Sequence, residues 1–517
     1  MIQGPPWKKN RKNCFNMDLI KYREDAESFL YKIEKEYYLH FSGQKDNFNI
    51  SDIYDQYEYL FTRENIDYIK NIKDKSFGEE KKKAAYLMRF CAEGYIERQV
   101  KDLIDRNAEN EARANIVIEG KKVPFRYSEI LLANESDKIK RDEIEDKRIR
   151  VVSESLNDDL YKYWVSLHKQ AEELGFSNYG ELFSYLKEEN FFDLQAGMEK
   201  LLSETRDLYE KHFTGLLKNE LNISLAGSRK SDFAFIKRAK KYDRFFDKNS
   251  LISIFKDTLS EMGMDISKYT NIHLDVEERE NKSPRAFCSI PAVPSEIYLV
   301  VMPGGGQDDY EALLHEGGHS LHFGNTDPKL DFEYKHLGDN AVTEGFAFCM
   351  ELLMQNQDWL IDFLKMPRET AEEFVYFSNL VKLWFCRRYA GKLRYELILH
   401  DGKSLNGKDL IYKEILSEVN SMEYPAENYL RDVDSGFYCT NYIRAWIFQS
   451  QFKEYIHGKY GSGWYKNKKT GIFLKELWNY GQKYRADEIL SQLGYKKMDI
   501  GYLIDSLIDG VKVFKNI

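Results

Sequence analysis

The chain has 517 residues, enough to bury a large core, and its 43% hydrophobic and 31% charged residues are the balance of a soluble globular protein. A net charge of −9 argues against a nucleic-acid partner, because phosphate binding needs a concentrated basic surface. No segment approaches the roughly 20 apolar residues of a transmembrane helix. The six cysteines stand singly, without a C-x-x-C pair, as reduced thiols do in a cytosolic protein. The expectation is a cytoplasmic protein with neither a nucleic-acid nor a membrane partner.

The chain opens on a short basic run, Trp7-Lys8-Lys9-Asn10-Arg11-Lys12, followed by Asn13-Cys14-Phe15-Asn16-Met17-Asp18. The second stretch lacks the apolar core of a secretory signal, so residues 1–16 read as a flexible extension. From Met17 the pattern is helical, with Leu30, Ile33 and Tyr37 at i, i+3 and i+7 in a charged background. Asn115–Phe125 interrupts it with two short apolar runs about a Gly, a hairpin signature. Helices are expected again from Ser128 to Met262, broken at Gly175, Asn190 and Gly227. The mixed-sign run Lys138–Arg150 reads as a solvated helix face. Near Ile272 the character changes, and 273–277, 286–290 and 296–302 read as strands of a small sheet. From Gln307 onward the pattern is helical. The fold class is mainly α with a small β-sheet, divided into residues 1–16, a helical N-terminal region 17–230 and a region 231–517 that carries the small sheet and the helices after it.

Residues 315–319 read His-Glu-Gly-Gly-His, an H-E-x-x-H. Positions i and i+4 of a helix share a face, so the imidazoles of His315 and His319 can reach one ion, and neutral imidazole is a good zinc ligand. Glu316 between them projects beside the open coordination position, where it can act as general base toward a water. The helix is expected to open at Asp308 as N-cap, with Glu311 completing a capping box, and to end at Gly324. Gly317 and Gly318 each cost roughly 1 kcal/mol against Ala in a helix, so something must approach this backbone closely.

The third ligand is assigned to Glu344, a carboxylate in an apolar helix opening near Asp339 or Asn340, where a metal would offset its desolvation. Glu351, two turns on, is its competitor. His322 and His336 read as residues around the site or at the surface. One Zn2+ per chain is the expected cofactor.

The stretch Asp309–His322, the run Glu344-Gly345-Phe346-Ala347 and the late segment Gly481–Leu490 resemble the thimet oligopeptidase and oligoendopeptidase F family of zinc metallopeptidases. The specific similarity covers roughly residues 280–350 and 430–510. The resemblance implies a two-lobed helical metallopeptidase with a deep channel, a small sheet beside the metal helix, and internal cleavage of short peptides. It also implies that a strand, matched here by Glu296–Met302, pairs with the substrate backbone. A late helix supplies oxyanion donors, for which Tyr442 and then Tyr438 are the candidates in Asp434–Trp446. The family's histidine upstream of these tyrosines has no counterpart between Asn420 and Gly436. That departure leaves open a peptide-binding protein with weak or lost turnover, and a zinc exopeptidase of the same architecture is the nearest alternative within the class. A third is a helical scaffold with an accidental motif.

Overall fold

A computed structural model of the chain describes residues 17–512; the extension expected over 1–16 lies outside them. The described chain is mainly helical, with a two-stranded and a three-stranded sheet. Its contacts group into two compact units that interleave along the sequence. One comprises Ile50–Arg238 and Leu383–Thr440; the other comprises Leu19–Asn49, Ala239–Lys382 and the chain from Asn441.

In the first unit the expected hairpin forms from β1 (Asn115–Ile118) and β2 (Lys121–Pro124), with Ile118 opposite Lys121. Glu119 and Gly120 make the two-residue turn at φ 49° and 77°, the left-handed pair whose twist matches the flanking strands. Ile116 and Phe125 then enter a core with Leu132, Ile144, Val152 and Leu156. The helix Lys138–Val151 is not the wholly solvated face expected of its charge run. Arg141 is fully buried and donates from Nε and Nη2 to the buried Asp232 carboxylate at 3.1 and 2.6 Å. A charge can enter a core only when so paired.

In the second unit the helix Leu19–Phe41 turns Tyr22, Ala26 and Phe29 inward rather than the stripe through Leu30, Ile33 and Tyr37, and Tyr37 is exposed. The sheet has the order β3 (Ile272–Asp275), β5 (Glu296–Val300), β4 (Phe287–Ala292), with β5 parallel to β3 and antiparallel to β4. Ile272, Leu274, Ile297 and Leu299 point to one face, and His273, Tyr298 and Ser289 to the other. On the latter face the ring of Tyr38, from the N-terminal helix, stacks on Tyr298 at 3.7 Å. On the former the H-E-x-x-H helix, Gln307–Gly324, packs against β4 and β5.

That helix opens two residues earlier than expected, with Gly306 rather than Asp308 at the N-cap position. Gly305 and Gly306 adopt φ of 88° and 96°, which L side chains disfavour. The bend turns the amides of Gly304 and Gly305 toward Asp309 Oδ2, each at 2.6 Å. Among the described residues, no helix is long and apolar enough to cross a membrane.

Candidate metal centre

The two helix glycines have the role their cost implied. A methyl group at Gly317 would lie 2.6 Å from the Phe255 ring, and one at Gly318 2.6 Å from the Cα of Ala347. Gly318 therefore lets the H-E-x-x-H helix cross the helix Asn340–Glu351 at backbone contact, which brings Glu344 under the two imidazoles. Asp339 caps this second helix by accepting from the Ala341 amide at 3.1 Å, and Arg444 holds the same carboxylate through two bonds of 2.7 and 2.8 Å. Because Ala347 opposes Gly318 with backbone, Gly318→Ala is expected to destabilise the fold by about 1–3 kcal/mol and to weaken metal binding by displacing Glu344. A melt and a metal titration would check this; unchanged values would show that the crossing can relax.

One ligand atom each from His315, His319 and Glu344 lie within 4.8 Å of one another. Glu344 Oε2 is 3.4 Å from His315 Nε2 and 3.6 Å from His319 Nε2. Ligands held at about 2.0–2.1 Å in a tetrahedron stand about 3.4 Å apart, so the three atoms fit one small cation. Burial alone would raise the Glu344 carboxyl, but His315 and His319 outweigh it and hold the group well below the usual carboxylate range.

The remaining imidazole nitrogens are committed. His315 Nδ1 lies 3.0 Å from Glu351 Oε2, and His319 Nδ1 lies 2.8 Å from Thr343 Oγ1. A proton on each Nδ1 leaves each Nε2 lone pair facing the common point. Glu351 is thus not the third ligand but the group that orients the first. Its heptad spacing from Glu344 was the available signal; Thr343 carried none.

Glu316 lies beside β4, not β5. Its Oε2 accepts from the Cys288 amide at 2.9 Å, while Oε1 takes no hydrogen bond from the described residues. Burial raises its carboxyl above the ordinary value, opposed by the two imidazoles. The substrate-pairing role expected of Glu296–Met302 is overturned, since β5 is central and hydrogen-bonded on both sides. β4 is the edge strand next to the metal helix.

Tyr442 is half-buried in the helix Cys439–Tyr460, its ring 6.1 Å from Phe348, whose own ring is 5.0 Å from His315. Tyr438 falls one residue before that helix and within the first unit. His322 is fully buried and meets the Gly481 carbonyl at 3.1 Å; burial lowers it to about 4. The His336 side chain is also buried rather than at the surface, and burial lowers it to about 3. Neither belongs to the metal cluster.

Fold and site together define a mainly helical chain with an H-E-x-x-H-plus-glutamate centre of the metallopeptidase type. No family model and no curated protein sequence matches the chain. Solved structures do match it over nearly its whole length. It is similar to PZ peptidase A with inhibitor 2, at a TM-score of 0.67 and 15% identity over 98% of this chain and 99% of that one. It is similar also to a putative oligoendopeptidase F from Bacillus anthracis str. Ames, at a TM-score of 0.66 and 13% identity over 99% and 98% of the two chains. A further putative oligoendopeptidase F structure matches at 0.65 and 12% identity over 99% and 98%. The mainly helical fold with a small sheet beside the metal helix is therefore shared with these peptidase structures.

Proposed function

We propose that the chain is a zinc-dependent oligoendopeptidase, hydrolysing internal peptide bonds of short peptides in the cytoplasm. The observation that carries this reading is the convergence of His315, His319 and Glu344 at tetrahedral spacing with Glu316 alongside. The set of two imidazoles and one carboxylate suits Zn2+, one per chain. Bound there, zinc would supply a Lewis acid and lower the pKa of a water. Glu316, steadied at Oε2 by the Cys288 amide, takes the proton of the attacking water on its open oxygen and returns it to the leaving amine. The two-lobed, channelled form that the resemblance implies would admit extended peptides and exclude folded proteins. A mass-spectrometric digest of a peptide library by the zinc-loaded protein tests the reading. Internal cuts in peptides of about a dozen residues are expected; loss of single terminal residues only, or no cleavage, would refute it.

Tyr442 is the proposed oxyanion donor, with Tyr438 as the second. Tyr442→Phe removes one transition-state hydrogen bond, so kcat is expected to fall roughly 100- to 1,000-fold with KM little changed. Steady-state kinetics of Tyr442→Phe beside Tyr438→Phe identifies the principal donor; near-normal kcat in both would remove the phenols from the mechanism.

A further inference from the structure

The free edge of β4 carries two carboxylates, and the mechanism uses only one. The amides of Cys288 and Ile290 both point away from β5. The first meets Glu316 Oε2 at 2.9 Å; the second meets Glu34 Oε2 at 3.2 Å. Glu34 comes from the helix Leu19–Phe41, and the Ser289 hydroxyl lies 3.1 Å from both the Oε2 and the backbone carbonyl of Glu34. Among the described residues the other oxygen, Oε1, takes no hydrogen bond and pairs with no Lys, Arg or His. The adjacent Lys35 is committed elsewhere, to Glu296 at 2.6 Å and the Tyr298 hydroxyl at 2.8 Å. Burial raises the Glu34 carboxyl with no cation to offset it. The Cys288 thiol is pushed up by burial and by the charges of Glu316 and Glu34.

A partly buried carboxylate without a counter-ion, in line with a general base, is a vacant half of an ion pair. Two residues of strand separate the two amides by about 6.6 Å. By accepting from Ile290, Glu34 also takes the hydrogen bond that a substrate carbonyl would need there, so backbone pairing along β4 stops at this point. The charge selects what reaches it: a C-terminal carboxylate is repelled, and an ammonium or guanidinium is drawn in.

We propose that Glu34 is a specificity-determining residue that binds a cationic group of the peptide about two residues from the scissile bond. The cation is either the α-ammonium of a short N-terminal segment or a Lys or Arg side chain. The assignment rests on the peptidase reading above and gives its substrates a charge requirement.

The test uses an uncharged dodecapeptide with a free N-terminus, its N-acetylated form, and acetylated forms with one lysine placed at successive positions. With wild-type zinc-loaded protein, kcat/KM for the best cationic member should exceed that of the acetylated uncharged peptide by at least about tenfold. Preference for the free N-terminus identifies the α-ammonium as the source, and preference for one lysine position identifies a side chain. Glu34→Gln keeps an acceptor for the Ile290 amide and should bring the ratio close to one. A wild-type ratio below about twofold, or a ratio retained in Glu34→Gln, overturns the proposal. If no peptide is cleaved, the peptidase reading fails by itself. Calorimetric binding of the same peptides then decides the matter: a charge preference lost in Glu34→Gln upholds the Glu34 assignment, and equal or undetectable binding overturns it.

Discussion

Glu316→Gln is expected to keep the metal and the fold and to lose about 10²–10⁴ in kcat. The amide can still accept from the Cys288 N–H that holds Oε2 in place, so the side chain stays where it is. What it loses is basicity. The half-buried carboxylate is raised by desolvation, which brings its proton affinity closer to that of the groups with which it exchanges protons. Because the same group takes a proton from water and returns one to the leaving amine, the loss should lie toward the upper end and appear equally in kcat and kcat/KM. Metal analysis together with steady-state kinetics checks this. Turnover near wild type with intact metal would show that another group is the base.

His319→Ala is expected to abolish stoichiometric zinc binding. Glu344 Oε2 stands 3.4 and 3.6 Å from the imidazoles of His315 and His319; without His319 an ion would keep one imidazole and one carboxylate. A site of two ligands does not hold zinc against dialysis. The variant also takes from Glu344 one of the two imidazoles that keep it ionised against burial, so the metal-free fold should melt lower than metal-free wild type. Glu351→Gln is the instructive comparison. It disturbs only the partner of His315 Nδ1, and loss of such an orienting group typically weakens metal affinity by about 10- to 100-fold. Zinc titration of both variants distinguishes ligand from orienting group. Stoichiometric zinc in His319→Ala would place the metal elsewhere.

Local chemistry was legible from the residue order because it repeats within a few residues. The i and i+4 spacing of His315 and His319 is a property of the helix itself, and the Glu119-Gly120 turn is dictated by its own backbone. The paired glycines announced a close approach because their helix cost has no local compensation. The apolar surroundings of Glu344 marked it as a carboxylate in need of a cation.

What only the tertiary structure decided depends on groups far apart in sequence. Strand order is one case: β5 is central because it is hydrogen-bonded to β3 on one side and β4 on the other, a choice between partners that the alternation within 296–302 does not encode. The N-cap is another, since glycine backbone at 305 and 306, rather than the Asp308 side chain, sets the start of the metal helix. The interleaving of the two units follows from contacts between remote stretches, with no composition change to mark it. Glu34 is the extreme case. In sequence it is one acidic residue among many on a charged helix; folding carries it across 255 residues to Ser289, at the edge strand beside the general base. A helix or turn is selected by its own torsions and neighbours, whereas a strand edge and the charge that meets it exist only after the chain has closed.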